Sequence, residues 1–500
     1  MKSTARTRRL ALILPAVAAA TATVAAQAPS AASTGAEQGK AAINVSANTL
    51  ARGNVAPAGE DDFEKSVLTT GLADPFEILF APDGNLWATE RTAGRVTVVD
   101  PDTGDKRTVL TIPEVVHTPG EQDGLLGMAI DSGGKGKGRA QGSWDVYLSY
   151  TYDGDPGAAL DRRQRIARYT YDASSQQLTS PRTLIEGLLA SDDHNSGRLK
   201  IGRDNTIYYS IGDRGNNQDL NACRLIESQR LPTAAEVRNQ DWTAYQGKTL
   251  RLNRDGSIPG SNPRLDGVRS HVWTFGHRNH QGLVFDDDGR LYSAEMGPKS
   301  DDELNLLTAG GNYGWPRIAG YQDDSAYVYG NGSARASGCD PADYDAFVIP
   351  DDVPQQAESS FHDPRLVPPV RTFYTVPPDF DFQGERCAPS GLFFICYPTI
   401  APASVDFYGE RAIPGWDESL LLPTLKRGTL FRMPVASPTL VDGPLPLFRS
   451  QNRYRDTAIS PDGGTIHVAT DSGGLVEGLD GLPTSELANP GAILSFRHTG

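Results

Sequence analysis

The stretch with the most chemistry in it is Asp192-Asp193-His194-Asn195-Ser196-Gly197-Arg198-Leu199. A histidine lies between a carboxylate pair and a Gly-Arg-Leu that reads as the start of a strand, so a loop side chain can face a cavity. An imidazole beside carboxylates can serve as a general base near neutral pH. Taken alone, the octapeptide also reads as a loop histidine in water. The decision depends on what the rest of the chain builds around it.

The chain opens with a basic n-region (Lys2, Arg6, Arg8, Arg9), an apolar run from Leu10 to Val24 and a small-residue cleavage site at Val24-Ala25-Ala26. This is the pattern of a secretory signal peptide over residues 1–26, and the Arg8-Arg9 pair is compatible with twin-arginine export. Its removal takes away four basic and no acidic side chains, moving the formal charge from −15 to −19. So acidic a protein repels nucleic acid and anionic membrane surfaces, and neither is expected as a partner. No later run is long and apolar enough to span a bilayer. The protein is therefore expected to be exported, periplasmic or secreted. In an oxidising compartment the even number of cysteines allows two disulfides. Cys387 and Cys396, close in sequence, are the preferred pair, and no C-x-x-C spacing supports zinc. Residues 27–60 are rich in Ala, Gly, Ser and Pro and read as a disordered leader. No similar linker follows, so residues 61–500 are expected to form one domain.

The elements that position the chemistry are hairpins. A polar turn followed by alternating apolar and small residues recurs at Pro82-Asp83-Gly84-Asn85-Leu86-Trp87-Ala88, Asp204-Asn205-Thr206-Ile207-Tyr208-Tyr209-Ser210, Asp288-Gly289-Arg290-Leu291-Tyr292-Ser293-Ala294 and Pro461-Asp462-Gly463-Gly464-Thr465-Ile466-His467-Val468-Ala469. Each follows a short apolar strand. Looser copies at 126–149 and 403–422 make six units, which point to an all-β, six-bladed β-propeller with long loop insertions. A β-sandwich is the competing fold, but it needs fewer similar hairpins. One helix is expected, at Thr233 to Asp241. Propellers hold ligands at one mouth of the channel, so the chemistry should lie on loops.

Seven segments, in order, resemble the soluble PQQ-dependent glucose dehydrogenases. They are Gly124-Leu125-Leu126-Gly127, Asp193-His194 through Leu199, Ile211-Gly212-Asp213, Gly276-His277-Arg278-Asn279, Gly310-Gly311-Asn312-Tyr313-Gly314-Trp315-Pro316, Leu425-Lys426-Arg427-Gly428 and Asn452-Arg453-Tyr454-Arg455-Asp456. The likeness runs collinearly from about residue 65 to the C-terminus. It implies that His194 is the base taking the proton of the anomeric hydroxyl, that Asp213 orients its imidazole, and that Gln122, Asp193 and Gln218 surround the sugar. It implies PQQ as cofactor, with Lys426, Arg453 and Arg455 on its carboxylates, Arg278 and Asn279 at the quinone, and Thr399 as a further contact. Arg453 and Arg455, two apart, would lie on one side of a strand and could clamp one anion together, although surface arginines do the same without a ligand.

The resemblance also implies calcium. The carbonyls of Gly297 and Pro298 would hold one ion on PQQ, and Glu303, Tyr313, Ala319, Tyr321, Asp323 and Glu358 a second, structural one. Without the resemblance, Asp301-Asp302-Glu303 reads as a solvated acidic face. Where the family places a tyrosine and a tryptophan against the sugar and cofactor, this chain has Phe394 and Tyr397, which puts sugar preference in question. Cys223 and Cys339 lie outside the family pattern, and a disulfide between them would tie the long insertion to a later loop. The expected reaction is oxidation of the C1 hydroxyl of glucose or related aldoses to the lactone, with electrons passed to an external acceptor by a homodimer. A broader aldose or polyol dehydrogenase, a non-redox calcium-stabilised carbohydrate-binding propeller, and a hydrolase with calcium in the central channel are the alternatives. No Gly-x-Gly-x-x-Gly follows a strand, so a nicotinamide enzyme has no support.

Overall fold

The computed structural model describes residues 57–131, 142–157, 159–437 and 439–500. The expected signal peptide and residues 27–56 of the expected leader lie outside them. Of residues 57–60, assigned with the leader, Ala58 is buried, donates to Pro414 O at 2.9 Å and accepts from Trp416 Nε1 at 3.0 Å.

Among the described residues six antiparallel sheets of four or five strands follow one another along the chain, each a blade. Their first strands are Pro75–Phe80, Leu125–Asp131, Ser196–Ile201, Asn279–Phe285, Asp406–Tyr408 and Tyr454–Ile459. These strands neighbour one another around a central channel. The sixth blade takes its outermost strand, Phe63–Thr69, from the beginning of the chain and pairs it with Ile493–His498, Phe63 opposite His498. Each of six apolar clusters bridges two adjacent blades, the last joining Ile78, Leu86 and Val99 of blade one to Ala458, Ala469 and Ile493 of blade six. Six interfaces among six blades close the ring, as the hairpin repeat predicts.

The repeated turn is explained by its backbone. Gly84, Asn205, Gly289 and Gly463 all have φ between 65° and 82°, the left-handed region that glycine and asparagine tolerate. The aspartate closes the turn: Asn85 N donates to Asp83 Oδ1 at 3.0 Å and Thr206 N to Asp204 Oδ1 at 3.1 Å. A second repeat was not read from the sequence. In five of the six blades the pairing of first and second strands shifts register near the start of the first strand, between Pro75 and Ile78, Leu125 and Met128, Ser196 and Leu199, Asn279 and Gly282, and Tyr454 and Asp456. Such bulges re-aim side chains at a rim, and the shifted residues include Asn279 and Arg455.

The loop insertions lie in blades three and four. Residues 212–247 separate two strands of blade three, and residues 308–370 lead to the outer strand Arg371–Phe373 of blade four. The expected helix is Ala234–Asn239, started by a capping box in which Glu236 N donates to Thr233 Oγ1 at 3.2 Å and Thr233 N to Glu236 Oε2 at 2.8 Å. A second helix, Phe393–Cys396, was not expected; its four residues are too few for a periodic signal. Both disulfides form: Cys387–Cys396 staples this turn, and Cys223–Cys339 ties the blade-three insertion to that of blade four. Among the described residues no helix is long and apolar enough to cross a membrane.

Candidate active site

His194 lies in the loop entering blade three, in the left-handed region at φ 46°. Its backbone passes so close to Gly212 that a Cβ there would meet His194 O at 2.0 Å, so the Ile-Gly-Asp segment needs its glycine. The next residue, Asp213, faces the ring: Nδ1 and Oδ1 are 2.7 Å apart and both groups are buried. Asp213 Oδ1 also accepts from Gly215 N at 3.0 Å, and Oδ2 from Trp315 Nε1 at 2.7 Å. With Nδ1–H given to the carboxylate, Nε2 carries the lone pair. That nitrogen is only loosely faced, by Gln218 Nε2 at 3.4 Å and Asp193 Oδ2 at 3.6 Å.

A chain of hydrogen bonds runs from this dyad across the mouth. Arg278 Nη2 donates to Gln218 Oε1 at 2.9 Å, Gln218 Nε2 to Asp193 Oδ2 at 3.0 Å, and Gln122 Nε2 to Asp193 Oδ1. Gln122 Oε1 accepts from Asn279 Nδ2 at 3.0 Å and from Gln281 Nε2 at 2.8 Å, and Gln281 Oε1 accepts from Arg455 Nη1 at 2.7 Å. The structure thus brings His194, Asp213, Gln122, Asp193, Gln218, Arg278, Asn279 and Arg455 into one network. Arg278 is buried, donates also to Met296 O at 3.1 Å, makes no ion pair with a carboxylate among the described residues, and keeps a buried Nε without a partner. A buried guanidinium without a carboxylate partner has the charge and a free donor to hold an anion. Its backbone N donates to Glu295, which also faces His277 Nδ1 at 2.9 Å.

Lys426 is buried and donates to Tyr397 O at 3.0 Å and to Thr399 Oγ1. Burial brings its ammonium down to about 7, with Asp302 opposing. Burial raises the Asp302 carboxyl to about 6 despite Lys426. Arg453 and Arg455 do clamp one anion, but it is a carboxylate of the chain itself. Arg453 Nε lies 3.0 Å from Asp471 Oδ2, and Arg455 Nε and Nη2 each lie 2.8 Å from Asp471 oxygens. Burial works to raise Asp471, but Arg455 and Arg453 hold it down at about 2. Asp471 was not singled out in the sequence, since only the fold sets it between two arginines.

The segment with Gly297 and Pro298 is pinned by Asp302, which accepts from Gly297 N at 2.8 Å through one oxygen and from Ile400 N at 2.6 Å and Ala401 N at 2.7 Å through the other. Gly297 and Pro298 are thereby held next to the Thr399–Lys426 pair. Farther out, Glu303 Oε1 accepts from Gly320 N and Glu358 Oε1 from Ala319 N, at 2.7 and 2.9 Å. Tyr313 is buried, its hydroxyl spent on Leu306 O at 2.6 Å, whereas Tyr321 and Asp323 are exposed, so the set runs from the core to the solvent edge. Asp301, read as part of a solvated face, is instead buried with Oδ2 unpartnered, and a Cβ on Gly320 would lie 2.7 Å from its Oδ1. Burial pushes Glu303 well above the usual carboxylate range and Glu358 up to about 7. Three buried carboxylates, one oxygen without a partner, with carbonyls nearby, fit a hard cation.

A cavity of about 860 Å³ opens beside these groups, bordered by Gln218, Arg278, Pro298, Trp315, Phe394 and Tyr397. Phe394 is 48% exposed and Tyr397 stands edge-on to Phe382, so an apolar wall faces the polar chain. Aromatic walls with a few fixed polar groups suit a small ring-shaped ligand.

The Glucose / Sorbosone dehydrogenase family model matches residues 72–346 and 388–477. Quinoprotein glucose dehydrogenase B of Acinetobacter calcoaceticus is 42% identical over 451 residues, covering 89% of this chain and 92% of that protein. Among solved structures, the PQQ-bound form of an aldose sugar dehydrogenase from Streptomyces coelicolor superposes with a TM-score of 0.56 at 23% identity, over 88% of this chain and 99% of that one. The apo-form of the soluble aldose sugar dehydrogenase from Escherichia coli gives 0.54 at 22% identity, over 87% and 99%. The structural likenesses carry the propeller fold, and the family match with the long 42% alignment carries the lineage: this chain belongs to the glucose/sorbosone dehydrogenase family.

Proposed function

We propose that the protein is a quinoprotein dehydrogenase that oxidises the C1 hydroxyl of glucose or a related aldose to the lactone and hands two electrons to an external acceptor. The observation that carries this is His194: its Nδ1 is held 2.7 Å from Asp213, and its Nε2 opens on the network that reaches Arg278. A base so oriented takes the hydroxyl proton at Nε2, while Asp213 balances the charge on the ring. Gln122, Asp193 and Gln218 offer the mixed donors and acceptors that a polyol needs, and Phe394 and Tyr397 the face against which a pyranose ring would lie.

PQQ, when bound, supplies the quinone that accepts hydride from C1. The groups that would hold it are Arg278 with its unpartnered Nε, Asn279, Thr399, Lys426, and Arg453 and Arg455 from the far side of the mouth. Calcium at the Gly297 and Pro298 carbonyls would add Lewis-acid polarisation, and a second ion would be structural among Glu303, Tyr313, Ala319, Tyr321, Asp323 and Glu358. Export to the periplasm or medium and a homodimeric state complete the reading, on the strength of the leader and the lineage.

The alternative of a hydrolase with its metal in the channel is disfavoured by Arg198. Its guanidinium fills that place, donating to Phe76 O, Gln281 O and Ala403 O at 2.8–3.3 Å and pairing with Glu77 at 2.7 Å.

The test is reconstitution. Mature apo-protein is mixed with PQQ and calcium, then glucose and a dye acceptor, and dye reduction is followed. Reduction that requires both additions is the expected result. PQQ binding without turnover would redirect the substrate to other aldoses and polyols, and absence of PQQ binding would leave the non-redox propeller.

A further inference from the structure

Trp315 touches both halves of the chemistry and was given no role by the sequence. It sits at the end of the Gly-Gly-Asn-Tyr-Gly-Trp-Pro segment after blade four's third strand, anchored by its own backbone: Trp315 N donates to Gly276 O at 2.9 Å and Trp315 O accepts from Gln229 Nε2 at 2.8 Å. From there the indole N–H reaches Asp213 Oδ2 at 2.7 Å. The face of the same ring lies 5.4 Å from the guanidinium carbon of Arg278, and its edge borders the cavity. Trp315 is buried, so water competes little for the N–H.

We infer that Trp315 is a positioning residue for the His194–Asp213 base, an inference that rests on the quinoprotein reading above. An Asp213 carboxylate with both oxygens hydrogen-bonded cannot rotate about its Cβ–Cγ bond and presents Oδ1 to the imidazole in one orientation. The tautomer that leaves Nε2 bare is therefore fixed by two donors from other parts of the chain, Gly215 N and Trp315 Nε1. The ring face meanwhile holds Arg278 beside the same cavity, so the base and the cation share one support. Four other charged groups act on the dyad: Asp193 and Asp219 near the imidazole, Arg278 across the mouth, and Glu295 behind it. None of them donates a hydrogen bond to Asp213 Oδ2.

The test uses the enzyme loaded with PQQ and calcium, with the apo-protein as a second readout. Trp315→Phe keeps the ring and removes the N–H. Expected are a fall in kcat of about tenfold, an acidic limb of the kcat profile moved to higher pH, and PQQ titration within about twofold of wild type. In the apo-protein the His194 Nδ1–H proton resonance should move downfield, because an Asp213 deprived of one donor accepts more strongly from the ring. The decisive comparison is with Asp213→Asn: the double variant should be no slower than Asp213→Asn alone, since the indole acts through that carboxylate. Additive losses, or an unmoved pH limb and an unmoved Nδ1–H signal, would overturn the role. Trp315→Tyr is measured alongside, with near-ultraviolet dichroism to establish that each variant is folded. A wild type that does not reduce dye would count against the quinoprotein reading instead, and the apo-protein resonance would still report on Trp315.

Discussion

Arg198 and Arg278 are two buried arginines at the channel-facing starts of neighbouring blades, and they differ in what is left over. Arg198 is wholly buried and spends its guanidinium on three carbonyls, with Glu77 at 2.7 Å and Asp456 at 3.3 Å. Those partners come from blades one, four, five and six, so the side chain is a cross-brace. Arg278 has one carbonyl, one amide oxygen and an unpartnered Nε. Burying a charge is common to both. Within this pair, what separates them is the hydrogen-bonding capacity that Arg278 leaves unused.

The sharpest way to break this comparison is at its two ends. His194→Ala should lower turnover by about two to four orders of magnitude, the scale of losing a general base, while leaving PQQ titration and melting temperature nearly unchanged. Arg198→Met should do the reverse, costing about 3–5 kcal/mol of stability by stranding Glu77 and Asp456. A stable Arg198→Met protein without activity would place Arg198 in the site. Next in size is cofactor capture: Lys426→Ala should weaken PQQ binding about ten- to a hundredfold before it alters kcat.

The same lysine gives a pH dependence with a definite sign. With its apo-state ammonium at about 7, Lys426 is charged below that pH and neutral above it. A bound carboxylate favours the charged form, so PQQ affinity should fall as pH rises through 7, by at most about tenfold per unit. Lys426→Arg, which stays charged, should flatten the curve.

The acidic pocket should show a smaller, opposite pattern in stability. Glu358 at about 7, against an ordinary 4.5, means that the cation-free fold holds an extra proton. Its stability should therefore decline as pH rises from 4.5 to 7, which calcium reverses by taking the proton's place. Thermal melts with calcium and with a chelator test this, and Glu303→Gln should shrink the difference. The smallest effect expected is in selectivity: Phe394→Tyr should reorder sugars by a few-fold in kcat/KM, and an identical ranking would remove this position from recognition.

The hairpins were plain in the sequence because their cause is local. An aspartate and a residue tolerant of positive φ sit at fixed offsets, and Gly84, Asn205, Gly289 and Gly463 stand at the expected points. The candidate base was visible as a histidine among carboxylates, and the collinear likeness pointed to Gln122, Asp193, Gln218, Arg278, Asn279 and Arg455, but not to Gln281, which joins Gln122 to Arg455. What could not be read were contacts made by juxtaposition. The bond between Trp315 and Asp213 spans 102 residues, and the anion between Arg453 and Arg455 is internal, although their spacing correctly placed them together. Asp301 misled for the same reason: its composition is that of a surface, and only packing beneath Gly320 buries it.

Blade six is assembled from both ends of the described residues, with Phe63–Thr69 zipped against Ile493–His498. That pairing spans nearly the whole propeller, so it carries the largest loop-closure entropy among the strand pairings described. Arg453 and Arg455 stand at the first strand of this same blade. Under the proposed function, the blade that carries two of the cofactor's cations is completed only when the final strand has been added, so a nascent or C-terminally clipped chain would present that part of the receptor on an unfinished blade.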